Sequence, residues 1–444
     1  MISQIIFTAL FLTGVGIFAL KIKSIRRNIF LGKPLEITDN KGERWKTMAM
    51  VAMGQSKMVV RPVAGFFHIL IYIGFILINI EVLEIVIDGF TGHHRFFAPY
   101  LGGFYDFLIG FFEVLALLVI VACVVFLYRR NISSIKRFKM PEMKGWPKLD
   151  GNLILVIEIV LMMALLKMNA CDQVLQAKGA DHYMAAGSFP ISQYLTSFFE
   201  NFEMSTLIIF ERIFWWAHII GILIFLNYVP YSKHFHIMLA FPNTYYSNLQ
   251  PKGQMDNMAA VKKEVDLMMS GDPFATPTEP VTPEPVGPPE KFGVKDVTDL
   301  TWKNLLDSYS CTECGRCTDN CPANQTGKLL SPRKIMMDTR DRIEEVGKNL
   351  DKQGKPIEDG KSLLGNYITE EELWACTSCN ACVDACPVNI DPLNIILNMR
   401  RYLIMEESKS PESVTAMFNN VENNGAPWAF PAADRGKWID EVNS

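Results

Sequence analysis

Two short segments near the carboxyl end carry cysteines at a spacing that can bind iron and sulfide. Residues 311–322 read CTECGRCTDNCP and residues 376–387 read CTSCNACVDACP, so each follows the pattern C-x2-C-x2-C-x3-C-P. Three thiolates from one such loop can wrap one face of a cubane 4Fe–4S cluster, while the fourth cysteine points elsewhere. Two copies of the pattern therefore predict two 4Fe–4S clusters.

The fourth cysteine of each run has a defined place in two-cluster ferredoxins, where it ligates the other cluster. This predicts two crossed ligand sets: Cys311, Cys314, Cys317 and Cys386 for one cluster, and Cys376, Cys379, Cys382 and Cys321 for the other. Pro322 and Pro387 turn the chain away after the last ligand of each run. The small residues Gly315 and Ala381 leave room for each loop to fold over iron and sulfide.

Two other uses of clustered cysteines compete with this interpretation. Structural zinc prefers two separated C-x2-C pairs, whereas here four cysteines crowd into one short loop, twice. Disulfides are disfavoured because the topology argued below puts this region in the reducing cytoplasm. The clusters are therefore the favoured interpretation. Cys123 and Cys171 lie in or beside apolar runs, and we interpret them as small apolar side chains.

Five apolar runs in the first 250 residues are long enough, or nearly so, to cross a bilayer core, which takes about 20 helical residues. They lie near 2–20, 63–87, 104–128, 151–168 and 206–229. The first run could instead be a cleaved signal peptide. Because no basic segment precedes it and its charges follow as KIKSIRR, we interpret it as a span. The sequence therefore predicts a five-helix transmembrane bundle over residues 1–250.

The basic residues of the connecting segments predict the orientation. Residues 21–61 hold ten Lys and Arg, 88–103 hold one, 129–150 hold seven, and 171–205 hold one. Cytoplasmic loops are the ones enriched in Lys and Arg. We therefore expect a multi-pass protein of the cell inner (cytoplasmic) membrane, with the amino terminus outside and everything after the fifth span in the cytoplasm.

The two halves of the chain differ in charge and are joined by a proline-rich segment. Residues 1–250 hold 22 Lys and Arg against 16 Asp and Glu, whereas 251–444 hold 21 against 31. Seven prolines lie within 271–290, a composition that favours extended backbone over a packed core. We therefore predict a linker over 251–290 and a dicluster ferredoxin domain over 291–444.

Helical patterns flank both cysteine runs. SPRKIMMDTRDRIEEV follows the first run, with Pro332 near a helix start and apolar residues at helical spacing, and DPLNIILNMRRYLIMEE repeats the arrangement after the second. The predicted fold class is therefore all-α, a five-helix transmembrane bundle followed by an α-helical domain that holds two 4Fe–4S clusters between its helices.

These segments carry a resemblance to a known family. The stretches CTECGRCTDNCPANQTGKLLSPRKI and ELWACTSCNACVDACPVNIDPLNIILNMRRYLIMEES resemble the C-type dicluster component of heterodisulfide reductase and its relatives among glycerol-3-phosphate and lactate oxidation proteins. In many such relatives a cysteine-rich partner domain holds the catalytic site. The resemblance therefore implies a separate cysteine-rich catalytic subunit, for which the acidic tail with Trp428 and Trp438 is the expected docking segment. A merely solvated tail is the alternative.

Histidines within the spans are candidates for binding a b-type heme, which needs two imidazoles from different helices. His68 lies in the second run and His218 in the fifth. The arrangement of five spans resembles the gamma subunit of respiratory nitrate reductase, whose second span carries histidines ten apart and whose fifth carries histidines eighteen apart. Here His218 and His236 keep the eighteen, but Met58 stands ten before His68.

The resemblance implies one heme between His68 and His218, and it leaves open a second site at Met58 and His236. Packed, neutral histidines without heme are the alternative. The remaining histidines are interpreted as solvated: His93, His94, His182 and His234.

Acidic residues also fall within or beside the spans, where a carboxylate in a wet cavity could support proton transfer at a quinone site. They are Glu81, Glu84, Asp106, Glu113, Glu158 and Glu211. Most lie near predicted span ends, where they can pair instead, as Glu211 can with Arg212. We assign none of them a catalytic role.

No dinucleotide fingerprint, P-loop or nucleophile motif is present, and no nucleic-acid partner is predicted. The sequence therefore predicts an electron-transfer subunit that links a quinone pool, through heme b, to a cytoplasmic partner through two 4Fe–4S clusters. A membrane anchor with structural clusters and no heme is the alternative.

Overall fold

This computed structural model describes residues 1–269, 291–354 and 359–444. The regular secondary structure of these residues is helical. Those residues contain no β-strand, and Lys33 and Thr301 form only an isolated bridge. The predicted all-α fold class is confirmed. The predicted linker lies outside the described residues from position 270 onward, and its first part includes a helix at Ala259–Met269.

Five helices among the described residues are long and apolar enough to cross a membrane. They are Ile2–Ile29, Pro62–Thr91, Gly103–Asn131, Trp146–Ala177 and Met204–Tyr228, here called the first to fifth spans. The first and fourth extend well past the predicted apolar runs. A helix continues into polar residues as long as its backbone stays hydrogen-bonded, so hydropathy underestimates its length.

The five spans pack in sequence order as a ring. The second span contacts the third, the third the fourth and the fourth the fifth, and the first span closes the ring against the second and the fifth. Close approach depends on small residues, because a Cβ on Gly89 would lie 2.5 Å from the ring of Phe7. Phe7, which is 1% exposed, therefore packs the first span against the rest of the bundle.

A hydrogen-bonded polar cluster ties together the span ends that lie away from the dicluster region. Arg95 donates to Asp172 at 2.6 Å and to Asn169 at 3.1 Å, and both partners lie on the fourth span. Tyr105 on the third span donates to Glu84 on the second at 2.7 Å. Burying such groups is tolerable because each finds a partner. Glu84, Asp106 and Glu113 therefore accept hydrogen bonds, and Glu211 pairs with Arg212, as expected.

The dicluster region is built from short helices around two longer ones. Their bounds are Trp302–Ser310, Arg316–Asp319, Pro322–Gln325, Pro332–Gln353, Glu370–Trp374, Ala381–Ala385, Pro392–Met405, Glu412–Asn424 and Lys437–Asn443. The predicted starts are confirmed, since Pro332 and Pro392 occupy the first helical position and Ser331 and Asp391 cap the two helices. Ile335 and Ile343 are fully buried in the core between them.

The first span reaches from the membrane bundle into the dicluster region. Asn28, near its end, is 2% exposed and donates to the hydroxyl of Tyr309 at 3.0 Å. Lys21 lies 3.2 Å from Glu344 on the helix Pro332–Gln353. Beyond the span, the backbone N–H of Lys33 donates to the carbonyl of Leu300 at 2.7 Å. These contacts fix the two regions against each other.

Candidate iron–sulfur and histidine sites

The first cysteine loop, residues 311–321, lines a small cavity together with the end of the second. Cys311, Cys314 and Cys317 from the first loop meet Cys386 from the second, and Cys382 also reaches its wall. Gly315 has φ +71, and a Cβ there would lie 2.3 Å from Nη1 of Arg333. The predicted need for a small residue at this position is thus explained by the close approach of Arg333.

The second cysteine loop, residues 376–386, lines a neighbouring cavity. Cys376, Cys379 and Cys382 meet Cys321 of the first loop there. The structure thus brings together both predicted crossed sets. In the second loop the residue matching Gly315 is Asn380, whose φ is +65, while Ala381 begins a helix.

The cavities suit an anionic cluster with iron at its corners. Burial raises the pKa of the Cys311 thiol to about 11 and that of Cys386 to about 12, so these thiols ionise only beside a bound cation. Backbone N–H groups donate to sulfur at Cys376 and Cys386, at 3.4 and 3.3 Å. Within the described residues, no group of three or more His, Cys, Asp or Glu side chains is arranged to bind one single metal ion.

Arg316, within the first cysteine loop, joins that loop to the membrane domain. It donates to the carbonyl of Lys57 at 2.8 Å, and its guanidinium lies 3.4 Å from the sulfur of Met58, just before the second span. Lys57 in turn donates to the carbonyl of Cys386 at 3.2 Å. The first cavity is therefore in direct contact with the end of the bundle at which the second span begins.

Glu313, also in the first loop, makes a second attachment. Its carboxylate accepts from Arg340 at 2.7 Å and from Lys233 at 2.5 Å, beyond the fifth span. Burial disfavours the charge, but Arg340 and Lys233 together hold the pKa of Glu313 below its ordinary value. Sequence analysis missed both attachments. The available signal was that charged residues, Glu313, Arg316 and Asp319, interrupt a loop otherwise made of small and polar residues.

Three histidines gather at the end of the bundle that contacts the dicluster region. The rings of His68 and His236 lie 6.3 Å apart, centre to centre, and the ring of His234 lies 5.7 Å from His236. Nδ1 of His68 and Nε2 of His234 are buried without a hydrogen-bond partner among the described residues. His234 is half-buried, so its interpretation as a solvated residue is wrong. Gly65, one turn before His68, lies against the backbone of Met58, because a Cβ there would lie 2.8 Å from its carbonyl oxygen.

His218 lies elsewhere in the bundle and is 1% exposed. Its Nδ1 lies 3.0 Å from the carbonyl of Leu161, and its Nε2 is buried without a partner in the described part of the chain. It sits ten residues inside the end of the fifth span, about 15 Å, whereas His68 sits six residues, about 9 Å, from the start of the second. The ring that meets His68 is therefore that of His236.

His94 and His182 lie at the end of the bundle that holds the polar cluster. Nε2 of His94 lies 3.2 Å from Asp172, and its ring contacts Tyr183 at 4.8 Å. Its side chain is 10% exposed, so its interpretation as a solvated residue is also wrong. His182 is exposed beside it, 5.9 Å from His94 ring to ring.

Comparison with known proteins agrees with this organisation. Residues 310–390 match the family model of the 4Fe-4S dicluster domain. The probable iron-sulfur-binding oxidoreductase FadF of Bacillus subtilis is 27% identical over 97% of this chain and 59% of its own length. The EtfAB:quinone oxidoreductase of Syntrophomonas wolfei is 28% identical over 91% of this chain and 55% of its own length. The chain therefore spans little more than half the length of these relatives.

A shorter match covers the dicluster region alone. The C-type component of a CoB-CoM heterodisulfide reductase of Methanosarcina acetivorans is 32% identical over 24% of this chain and 53% of its own length. No solved structure gives a significant match. Five apolar helices and a dicluster domain define an iron–sulfur electron-transfer protein with a membrane domain. Its homologues include components of the heterodisulfide reductase C type, which confirms the resemblance seen in the cysteine runs.

Proposed function

We propose that this protein passes electrons between a quinone pool in the bilayer and a cytoplasmic partner through two 4Fe–4S clusters. The observation that carries the proposal is the contact of the first cysteine loop with the membrane domain, where Arg316 meets Lys57 and Met58. The name of one relative, an EtfAB:quinone oxidoreductase, supports quinone as the membrane carrier. Orientation with the clusters in the cytoplasm rests on the basic segments between the spans.

The cluster ligands in this proposal are the eight cysteines of the two loops. Cys311, Cys314, Cys317 and Cys386 would hold one cluster, and Cys376, Cys379, Cys382 and Cys321 the other. Each bound cluster supplies a carrier for one electron. The role of the chain is to hold the two sites next to each other, to bury four of the eight thiolates, and to donate backbone N–H groups to two of their sulfurs.

A b-type heme is the proposed carrier inside the bundle. Two imidazoles that bind one metal from opposite sides have ring centres about 6 Å apart, given metal–nitrogen bonds of about 2 Å. The separation of His68 and His236 fits this arrangement. Nδ1 of His236 lies 3.0 Å from the carbonyl of Lys233, which leaves its Nε2 free to bind a metal. His218, the ligand predicted from the sequence, also has a free Nε2 and is the competing candidate.

The cytoplasmic partner in this proposal is a further subunit. Relatives of the heterodisulfide reductase C type are, by their names, subunits of larger enzymes. A separate cysteine-rich catalytic subunit is the partner that the sequence resemblance implies. The carboxyl-terminal tail offers Trp428 and Trp438, which are 65% and 63% exposed, as contacts for it.

Optical and EPR spectra of the purified membrane protein test the proposal. Addition of a menaquinol analogue under anaerobic conditions should produce a reduced-heme band and then a reduced-cluster EPR signal. The substitutions His68→Ala and His236→Ala should each abolish the heme band, whereas His182→Ala, a matched change at an exposed histidine, should leave it intact. A band lost in His218→Ala but kept in His236→Ala would reassign the heme ligand.

Clusters that quinol never reduces, in a protein without a heme band, would refute quinone-linked transfer. That result would favour the anchor with structural clusters.

A further inference from the structure

The two cysteine loops are copies that differ where they meet their surroundings. Both have Thr after the first cysteine and Asp two residues before the last. The third and sixth positions differ, being Glu313 and Arg316 in the first loop but Ser378 and Ala381 in the second. Since both loops have left-handed backbone at the third position, with φ +52 and +56, the copies keep one backbone shape with different side chains.

In the first loop these two positions are covered by the membrane domain. Glu313 is 4% exposed and Arg316 is 6% exposed, and the two bond to Lys233 and Lys57 as described above. Charged side chains at such burial need partners, and the partners belong to segments that flank the spans. The equivalent face of the first loop is therefore occupied by this chain itself.

In the second loop the same face is more exposed in the part of the chain that the structure describes. Ser378 and Ala381 are half-buried and uncharged, and Arg400 of the same domain lies 3.4 Å from the hydroxyl of Ser378. Cys379 is exposed, whereas its counterpart Cys314 is half-buried. An uncharged face over a cluster ligand can be covered by another protein without the cost of burying an unpaired charge.

We propose that this face of the second cysteine loop, formed by Thr377, Ser378, Cys379, Asn380 and Ala381, is where a soluble redox protein docks and exchanges electrons. The proposal rests on the proposed function, and it assigns each cluster a position on the electron path between the membrane and the partner. The loop held by Glu313 and Arg316 faces the membrane, and the loop with Cys379 faces the partner.

The transfer of single electrons determines which kind of cofactor the partner protein must hold. One electron leaves the reduced centre of one protein and is taken up by the oxidised centre of the other, and no bond or proton is transferred. The partner must therefore hold its own one-electron centre, such as a flavin or an iron–sulfur cluster, close to its surface. At the rim, Asp384 pairs with the exposed Lys252, so both signs of charge are available to orient the partner.

An EPR experiment on the full-length protein tests which cluster is open to solvent. The dithionite-reduced protein is frozen with and without a soluble dysprosium complex, and the power saturation of each cluster signal is measured. The substitution Cys379→Ser identifies the signal of the second cluster by altering it. We expect dysprosium to speed the relaxation of that signal and to leave the other nearly unchanged. Equal effects on both signals, or a larger effect on the first, would overturn the proposal.

Two charge variants provide a second test in case the Cys379→Ser protein does not bind its clusters. Oxidation of the reduced protein by ferricyanide, an anion, should slow about threefold in Thr377→Glu and speed up by a similar factor in Ala381→Arg at low salt. Lys348→Glu, on an exposed face of the helix Pro332–Gln353, is the control and should have no effect. Unchanged rates in both loop variants, or a similar change in the control, would refute the proposal.

No quinol is used in either experiment. A failure of quinone-linked transfer would therefore leave these results standing, and a failure here would leave quinol reduction intact.

Discussion

Removing the carboxylate of Glu142 should loosen the attachment of the dicluster region to the membrane domain. Glu142 lies in the segment between the third and fourth spans, and it accepts from Arg333 at 2.8 Å and from Ser331 at 2.6 Å. The side chain of Arg333 is fully buried, and its remaining contact is with the carbonyl of Arg137 at 2.8 Å. Glu142→Gln therefore leaves a buried guanidinium without its counter-charge.

The expected loss follows from those contacts. Breaking a buried ion pair by removing one partner costs about 3–5 kcal/mol. We expect about 3 kcal/mol, the lower end, because Arg333 keeps its bond to Arg137 and glutamine still offers one acceptor oxygen. Each 1.4 kcal/mol is about a tenfold change in an equilibrium, so the local opening of this contact should become about 100-fold more frequent.

Hydrogen–deuterium exchange measures that opening directly. The amides around Arg333 should exchange about 100-fold faster in Glu142→Gln, while the amides near the middle of the spans should not change. Glu43→Gln is the matched control, because Glu43 is an exposed carboxylate that pairs with Lys46 on the protein surface. Exchange that changes less than about threefold around Arg333 would show that the ion pair does not hold the two regions together.

The same contact has a defined pH dependence. Burial opposes ionisation of Glu142, but Arg333 and Ser331 hold its pKa below the ordinary value. Its contribution to stability is therefore complete above the ordinary carboxyl pKa of about 4.3 and is lost as the pH falls through the lowered value. Wild-type exchange around Arg333 should accelerate in that acid range, and Glu142→Gln should not share this dependence.

Three further substitutions have definite expected outcomes. Asp172→Asn leaves Arg95, which is 5% exposed, without its counter-ion and should lower the stability of the membrane domain by about 3 kcal/mol in thermal unfolding. Tyr309→Phe leaves the buried amide of Asn28 unpaired and should cost about 1–3 kcal/mol by the same measurement. Cys321→Ser, although in the first loop, should remove the EPR signal of the second cluster; loss of the first signal instead would contradict the crossed ligand sets.

Local spacing was sufficient to predict the clusters and the spans. Cysteines three and four residues apart stay close in any tight loop, so the pattern between Cys311 and Cys321 predicts ligands without knowledge of the fold. A run of about 20 apolar residues likewise predicts a span, because no other backbone arrangement satisfies its hydrogen bonds in lipid. Helix starts at Pro332 and Pro392 were predictable for the same reason, since a cap and the first helical turn are adjacent in sequence.

Tertiary structure decided what depends on contacts between distant segments. His68 meets His236 rather than His218 because their depth in the bundle is set by where the second and fifth spans begin and end, which hydropathy predicts only to within several residues. The attachment of Glu313 to Lys233 and of Arg316 to Lys57 joins residues far apart in the chain, and periodicity and spacing describe only near neighbours. The sequence by itself determined the iron–sulfur clusters and the spans, whose signals are local, and the packing decided which distant side chains face each other.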